Sequence, residues 1–147
     1  MRKDKENLEI AKKYLDSVRE AKLNAVDIAY RVKELKTTSK KLIAVYQMES
    51  VGGNNKKMDI SDYVAKIDEE VAKQLKAMQI YAKKEQEVKE CIDNLEVEDK
   101  VKRVLSMRYL SFLKWADIAN VCNCSIRYVY KLHILGLTKV TKIKSID

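Results

Sequence analysis

Trp115-Ala-Asp-Ile-Ala-Asn-Val-Cys-Asn-Cys-Ser-Ile-Arg-Tyr-Val-Tyr-Lys-Leu-His133 is the stretch on which the reading of this chain turns. Two apolar-periodic segments, Trp115 to Cys122 and Ile126 to Leu135, are separated only by Asn123, Cys124 and Ser125. That spacing predicts a helix-turn-helix, whose second helix enters the DNA major groove. Trp115, Ile118, Ala119 and Cys122 share one face of the first helix, and Ala119 is small where two helices must cross closely. Asn123 follows at the position that needs a left-handed residue, for which Asn is the best choice after glycine. Ser125 then caps the second helix by accepting a bond from a free backbone amide.

Within that second helix, expected over about 125–136, Val129 and Leu132 point inward with His133 at their edge, leaving Ile126, Arg127, Tyr130 and Lys131 on the other face. Arg127 can pair bidentately with guanine, and Ile126 offers an apolar contact to a thymine methyl. Tyr130 and Lys131 can serve bases or phosphates. Arg103, Arg108, Lys114 and Tyr128 are candidates for phosphate contacts, which position a protein without reading sequence. Each has a plainer reading. Arg108 can pair with Asp117, Trp115 and His133 can be packing residues, and Tyr128 and Tyr130 can be ordinary amphipathic surface.

Working outward, Val97 to Leu110 reads as a packing helix with Val101, Val104 and Leu105 inward. Upstream, Leu8, Ala11, Leu15, Val18, Ala25, Ile28, Val32 and Leu35 recur in steps of three and four, the stripe of a long helix. Lys36-Thr-Thr-Ser-Lys-Lys41 weakens it before Leu42, Ile43 and Tyr46 resume. Gly52-Gly-Asn-Asn55 is the clear loop, placed at about 51–58. A second stripe then follows through Ile60, Val64, Ile67, Val71, Leu75, Met78 and Ala82, and slips in phase before Val88, Ile92 and Leu95. Asp59 or Ser61 is the expected cap of that helix. Two long amphipathic helices joined by one tight loop predict an antiparallel hairpin over residues 1–95, with a separate helix-turn-helix domain over 96–147. A hairpin has only one seam to bury, so self-association through residues 1–95 is expected.

Composition agrees with an all-α fold. The 147 residues include 3 glycines and no proline, and 35% are charged. Strands need turn punctuation that this chain lacks. Residues 1–97 carry 20 basic and 18 acidic side chains, whereas residues 98–147 carry 10 and 4. Most of the net +8 therefore lies where a polyanion would bind. Three cysteines, Cys91, Cys122 and Cys124, form no disulfide framework in a chain expected to be cytoplasmic, and Cys122, Cys124 and His133 are one ligand short of a structural zinc site. No cofactor or metal is expected. The absence of a glycine-rich phosphate loop and the presence of a single histidine argue against an enzyme. No apolar run approaches membrane-spanning length, and Met1-Arg-Lys-Asp-Lys-Glu6 lacks an apolar signal core.

Val104-Leu-Ser-Met-Arg-Tyr-Leu110, Trp115-Ala-Asp-Ile-Ala119 and Ser125-Ile-Arg-Tyr-Val-Tyr-Lys-Leu-His133 resemble the region-four helix-turn-helix of bacterial sigma factors, which reads the −35 promoter element. The chain is more closely similar to small prophage and mobile-element proteins of Gram-positive bacteria, the ArpU-like or RinA-like late-gene transcription regulators. Those couple a sigma-region-four-like C-terminus to a long N-terminal helical hairpin. Gly52 to Ile67 looks like that family's hairpin loop and second helix start, so the resemblance spans nearly the whole chain. It implies that Ser125 caps the recognition helix and that Ile126, Arg127, Tyr130 and Lys131 occupy its base-contacting positions. The chain departs from the family pattern at Phe112 (usually glycine), Lys114 (usually a threonine-like cap), Asn123 (a turn glycine) and Val51 (often proline).

The expected function is a sequence-specific regulator that binds double-stranded DNA, self-associates and touches RNA polymerase. Two alternatives are a coiled-coil adaptor that binds polymerase or a sigma factor without DNA, and a DNA-packaging recognition subunit.

Overall fold

The computed structural model describes residues 2–48 and 54–146, and among them the chain is all α-helical with no strand. The helices are α1 (Arg2–Met48), α2 (Asn54–Asp93), α3 (Asp99–Tyr109), α4 (Trp115–Val121) and α5 (Ile126–Ile146). None of them is long and apolar enough to cross a membrane.

Helix α1 is unbroken. The weak segment at 36–41 stays helical, with the Thr37 hydroxyl donating to the Lys33 carbonyl one turn back at 2.9 Å and Ser39 buried. A threonine that bonds back in this way lowers helix propensity without ending the helix, and no glycine or proline intervenes. The expected inward stripe is real: Ala11, Leu15, Val18, Ile28 and Val32 are all buried.

Helix α2 corrects two expectations. The loop placed at about 51–58 gives way to helix from Asn54, so Asp59 and Ser61 lie inside α2 and cannot cap it. Lys56, Lys57 and Met58 are good helix formers, and nothing among them stops the helix from reaching back toward the glycines. Val51, Gly52 and Gly53 lie outside the described residues. The second correction concerns which face turns inward. Val64, Val71, Leu75 and Met78 are 46, 38, 60 and 53% exposed. The more buried residues are their neighbours Tyr63, Glu70, Gln74 and Ala77, together with Ile67. Because successive residues are about 100° apart on a helix, α2 carries two apolar faces, and the less hydrophobic one is covered.

Two compact units form, one from Met1–Glu20 with Ala82–Asp147 and the other from Ala21–Tyr81. This grouping crosses the sequence-based division at 95/96, because both long helices contribute to both units. In the second unit, Ala25, Ile28 and Val32 of α1 pack with Ala77 of α2. Farther along α1, Arg31, Leu35 and Thr38 line a cleft with Tyr63, Lys66 and Glu70, so contacts ascend one helix as they descend the other.

In the first unit, α3, α4 and α5 pack on one another. Their shared core is Val101 and Val104 of α3, Ile118 and Ala119 of α4, and Val129 and Leu132 of α5, with Trp115, Cys122 and Cys124 partly buried at its edge. Helix α5 does not stop near residue 136. Leu137 and Val140 are buried, the Thr141 hydroxyl donates to the Asn7 carbonyl at 3.1 Å, and the Lys144 ammonium sits 4.0 Å from the centre of the Tyr14 ring. The first turns of α1 thus give the last turns of α5 a surface to continue along.

Candidate nucleic-acid interface

The turn between α4 and α5 sets the position of every candidate residue on α5. Asn123 has φ 55°, and its amide donates to the Asn120 carbonyl while the Cys124 amide donates to Ala119. This pair of bonds is a Schellman motif, in which a left-handed residue turns the chain back over the last carbonyls of a helix. Two residues later Ser125 starts α5, its hydroxyl accepting the Tyr128 amide at 3.1 Å. The stop and the start are therefore both local, and together they fix the rotation of α5 about its axis.

With that rotation Val129, Leu132 and His133 are buried, while Ile126, Arg127, Tyr128, Tyr130 and Lys131 are exposed on the first two turns. Of the sequence-derived site residues, these five and Ser125 come together on one end of α5. Lys114 stands apart as the residue before α4, exposed, with extended backbone and no side-chain cap bond.

Neighbouring elements hold several of these side chains. The Tyr130 ring meets Trp115 edge-on at 5.1 Å, and Trp115 meets His133 at 4.5 Å. The Lys100 ammonium of α3 lies 5.5 Å from the Tyr128 ring and 3.2 Å from Glu98. Lys100 was absent from the sequence reading, and only its place one turn from buried Val104 on an otherwise basic helix hinted at it. Arg108 donates to the Leu113 carbonyl at 3.0 Å and stacks 4.4 Å over Trp115. Those contacts, rather than a pairing with Asp117, occupy its guanidinium. They clamp the turn that enters α4, where Phe112 adopts φ 59°. The glycine-like conformation is thus present although the glycine is not.

His133 lies at the centre of this scaffold. Its Nε2 and the Tyr109 hydroxyl share a 2.6 Å hydrogen bond, and both side chains are buried. Burial first, then the charges of Lys12 and Arg108, lower the His133 pKa to about 4, and burial pushes Tyr109 up. The imidazole is a neutral packing residue at pH 7. Beside it, Leu8 and Lys12 of α1 share a cleft with Trp115, Tyr130 and Ile134.

The result is a cationic, aromatic and apolar surface on the first two turns of a capped helix, backed by a rigid aromatic core. No protein-family model, curated protein or solved structure matches the chain.

Proposed function

We propose that this protein is a sequence-specific DNA-binding transcription regulator of phage or mobile-element genes, similar to the ArpU-like and RinA-like proteins. In this reading α4, the turn and α5 form a sigma-region-four-like helix-turn-helix, acting in the cytoplasm. The observation that carries it is the placement of Arg127, Tyr130 and Lys131, with Ile126, outward on the capped start of α5 while Val129 and Leu132 anchor the opposite face. A major groove about 12 Å wide admits a single helix, and the residues near its N-terminus then reach base edges. Arg127 pairs with guanine, Ile126 meets a thymine methyl, and Tyr130 and Lys131 contact the flanking bases or phosphates. Lys114, Tyr128 and Ser125 lie along the path of the backbone, and Arg108 supports the turn that presents Lys114.

Residues 1–95 act as an antiparallel hairpin for self-association, as the opposite course of contacts along α1 and α2 supports. RNA polymerase is the second partner in this reading.

The test is selection of bound duplexes from fragmented genomic DNA, followed by affinity measurements on the selected site. Arg127→Ala is expected to lose about 1–3 kcal/mol and to relax preference at one base position. An unchanged footprint and affinity would overturn the assignment of α5 as the reading helix.

A further inference from the structure

The exposed face of α2 carries an inference about the partner. Val64, Val71, Leu75 and Met78 form a stripe of four large apolar side chains in steps of seven, four and three, all exposed. From Val64 to Met78 this stripe is about 21 Å long at 1.5 Å per residue. Helical stripes of this kind are seams for a neighbouring helix. The covered face of α2, one residue earlier along the chain, is already packed on α1 through Ala77. The stripe is therefore a second seam.

Charge names the occupant. Residues 60–70 carry Asp62, Asp68, Glu69 and Glu70 against Lys66, while residues 71–81 carry Lys73 and Lys76 and no acid. Lys73 pairs within the helix to Glu69 and Glu70 at 3.4 and 3.2 Å, an exposed pairing that holds it only weakly. A helix that is acidic in its first half and basic in its second is complementary to a reversed copy of itself. Laid parallel, the same two copies set like charge against like.

We propose that two copies of this chain associate through the Val64–Val71–Leu75–Met78 face of α2, antiparallel, with the two-fold axis between Val71 and Leu75. The interface is isologous: the acidic half of each α2 meets the basic half of the other, and the apolar stripe closes between them. This rests on the reading of residues 1–95 as a self-association region and specifies its surface. It is independent of DNA binding.

Sedimentation without DNA at tens of micromolar is expected to give twice the monomer mass. Leu75→Glu is expected to return it to the monomer with the far-ultraviolet helical spectrum unchanged. Ile80→Glu, on the opposite side of α2 and also exposed, should leave the dimer intact. Orientation is read from electron–electron distances between nitroxides on Asp62→Cys or on Lys76→Cys, with Cys91, Cys122 and Cys124 replaced by serine. In the antiparallel pair, labels at 62 are offset along the axis by about 33 Å and labels at 76 by about 9 Å, from 1.5 Å per residue. A parallel pair gives equal distances at both sites. A monomer would overturn self-association itself. A dimer with equal distances, or one indifferent to Leu75→Glu, would overturn this surface while leaving self-association standing.

Discussion

His133 is the one histidine of the chain, and its environment makes its charge state a direct readout of the fold. Burial, with help from Lys12 and Arg108, holds its pKa at about 4, below the ordinary 6.5. Below pH 6.5 the unfolded chain takes up a proton that the folded chain refuses. Stability is therefore full at pH 7 and falls as pH drops from about 6.5 toward 4, levelling below that. The whole contribution is on the order of 3 kcal/mol at 1.36 kcal/mol per pH unit. The single imidazole resonance should titrate with a midpoint near 4, and one near 6.5 would place the ring in water. A His133→Phe variant should lose this part of the pH dependence in thermal melts, at a constant cost for the stranded Tyr109 hydroxyl. Lys114 offers a second residue-scale test, because it precedes α4 without capping it. Lys114→Thr should gain about 1 kcal/mol of stability by supplying a cap. In the proposed complex the same change should lower the salt slope of DNA affinity by about one, through loss of one phosphate contact. A variant that changes stability alone would place Lys114 away from DNA. Asn123 and Ser125 were legible in the sequence because their roles depend only on neighbours along the chain. The Arg108–Trp115 and Tyr130–Trp115 pairings were not, because they require residues that the fold alone brings together.

At the scale of the element, α3, α4 and the start of α5 were legible and the inward face of α2 was not, and the difference has a physical cause. In α3 and α5 the hydrophobic residues are the buried ones, so periodicity reads burial directly. In α2 two apolar stripes lie about one residue apart, and the more hydrophobic of them is exposed. The apparent phase slip between Ala82 and Val88 was the trace of this. Stepping back from buried Val88 by threes and fours gives Tyr81, Ala77, Gln74 and Glu70, with no slip at all. Two of those residues are polar, so composition hid them. The extent of α5 was missed for a related reason, since Gly136 suggests a helix end. A side chain built at Gly136 would lie 2.7 Å from the Leu105 Cδ1, and α5 therefore continues there in close contact with α3. Leu105 is fully buried and has little room to withdraw. Gly136→Val should destabilise by about 1–3 kcal/mol through overpacking, more than the helix propensity of valine returns. Chemical denaturation measures it, and an unchanged midpoint would mean that the two helices separate freely at this point.

For the whole molecule, the sequence division at 95/96 makes residues 96–147 a free-standing DNA-reading domain, whereas the compact unit also takes in residues 1–20 and 82–95. Those two segments bring Leu15, Val18, Val88, Ile92 and Leu95, all buried, and the Asn7 carbonyl and Tyr14 ring that receive Thr141 and Lys144. Each large aliphatic side chain contributes about 1.5–3 kcal/mol on burial. Net domain stability is only about 5–15 kcal/mol, so losing five of them removes a comparable amount. Sequence could not reveal this, because a stripe on α1 shows that a face is buried and not which element covers it. A fragment of residues 96–147 is accordingly expected to melt without a cooperative transition. A fragment joining 1–20 and 82–147 through a flexible linker should regain cooperativity, along with the depressed His133 titration that depends in part on Lys12. If residues 96–147 alone melted cooperatively and kept the low titration midpoint, the first turns of α1 would be an accessory to the helix-turn-helix unit and not part of its core.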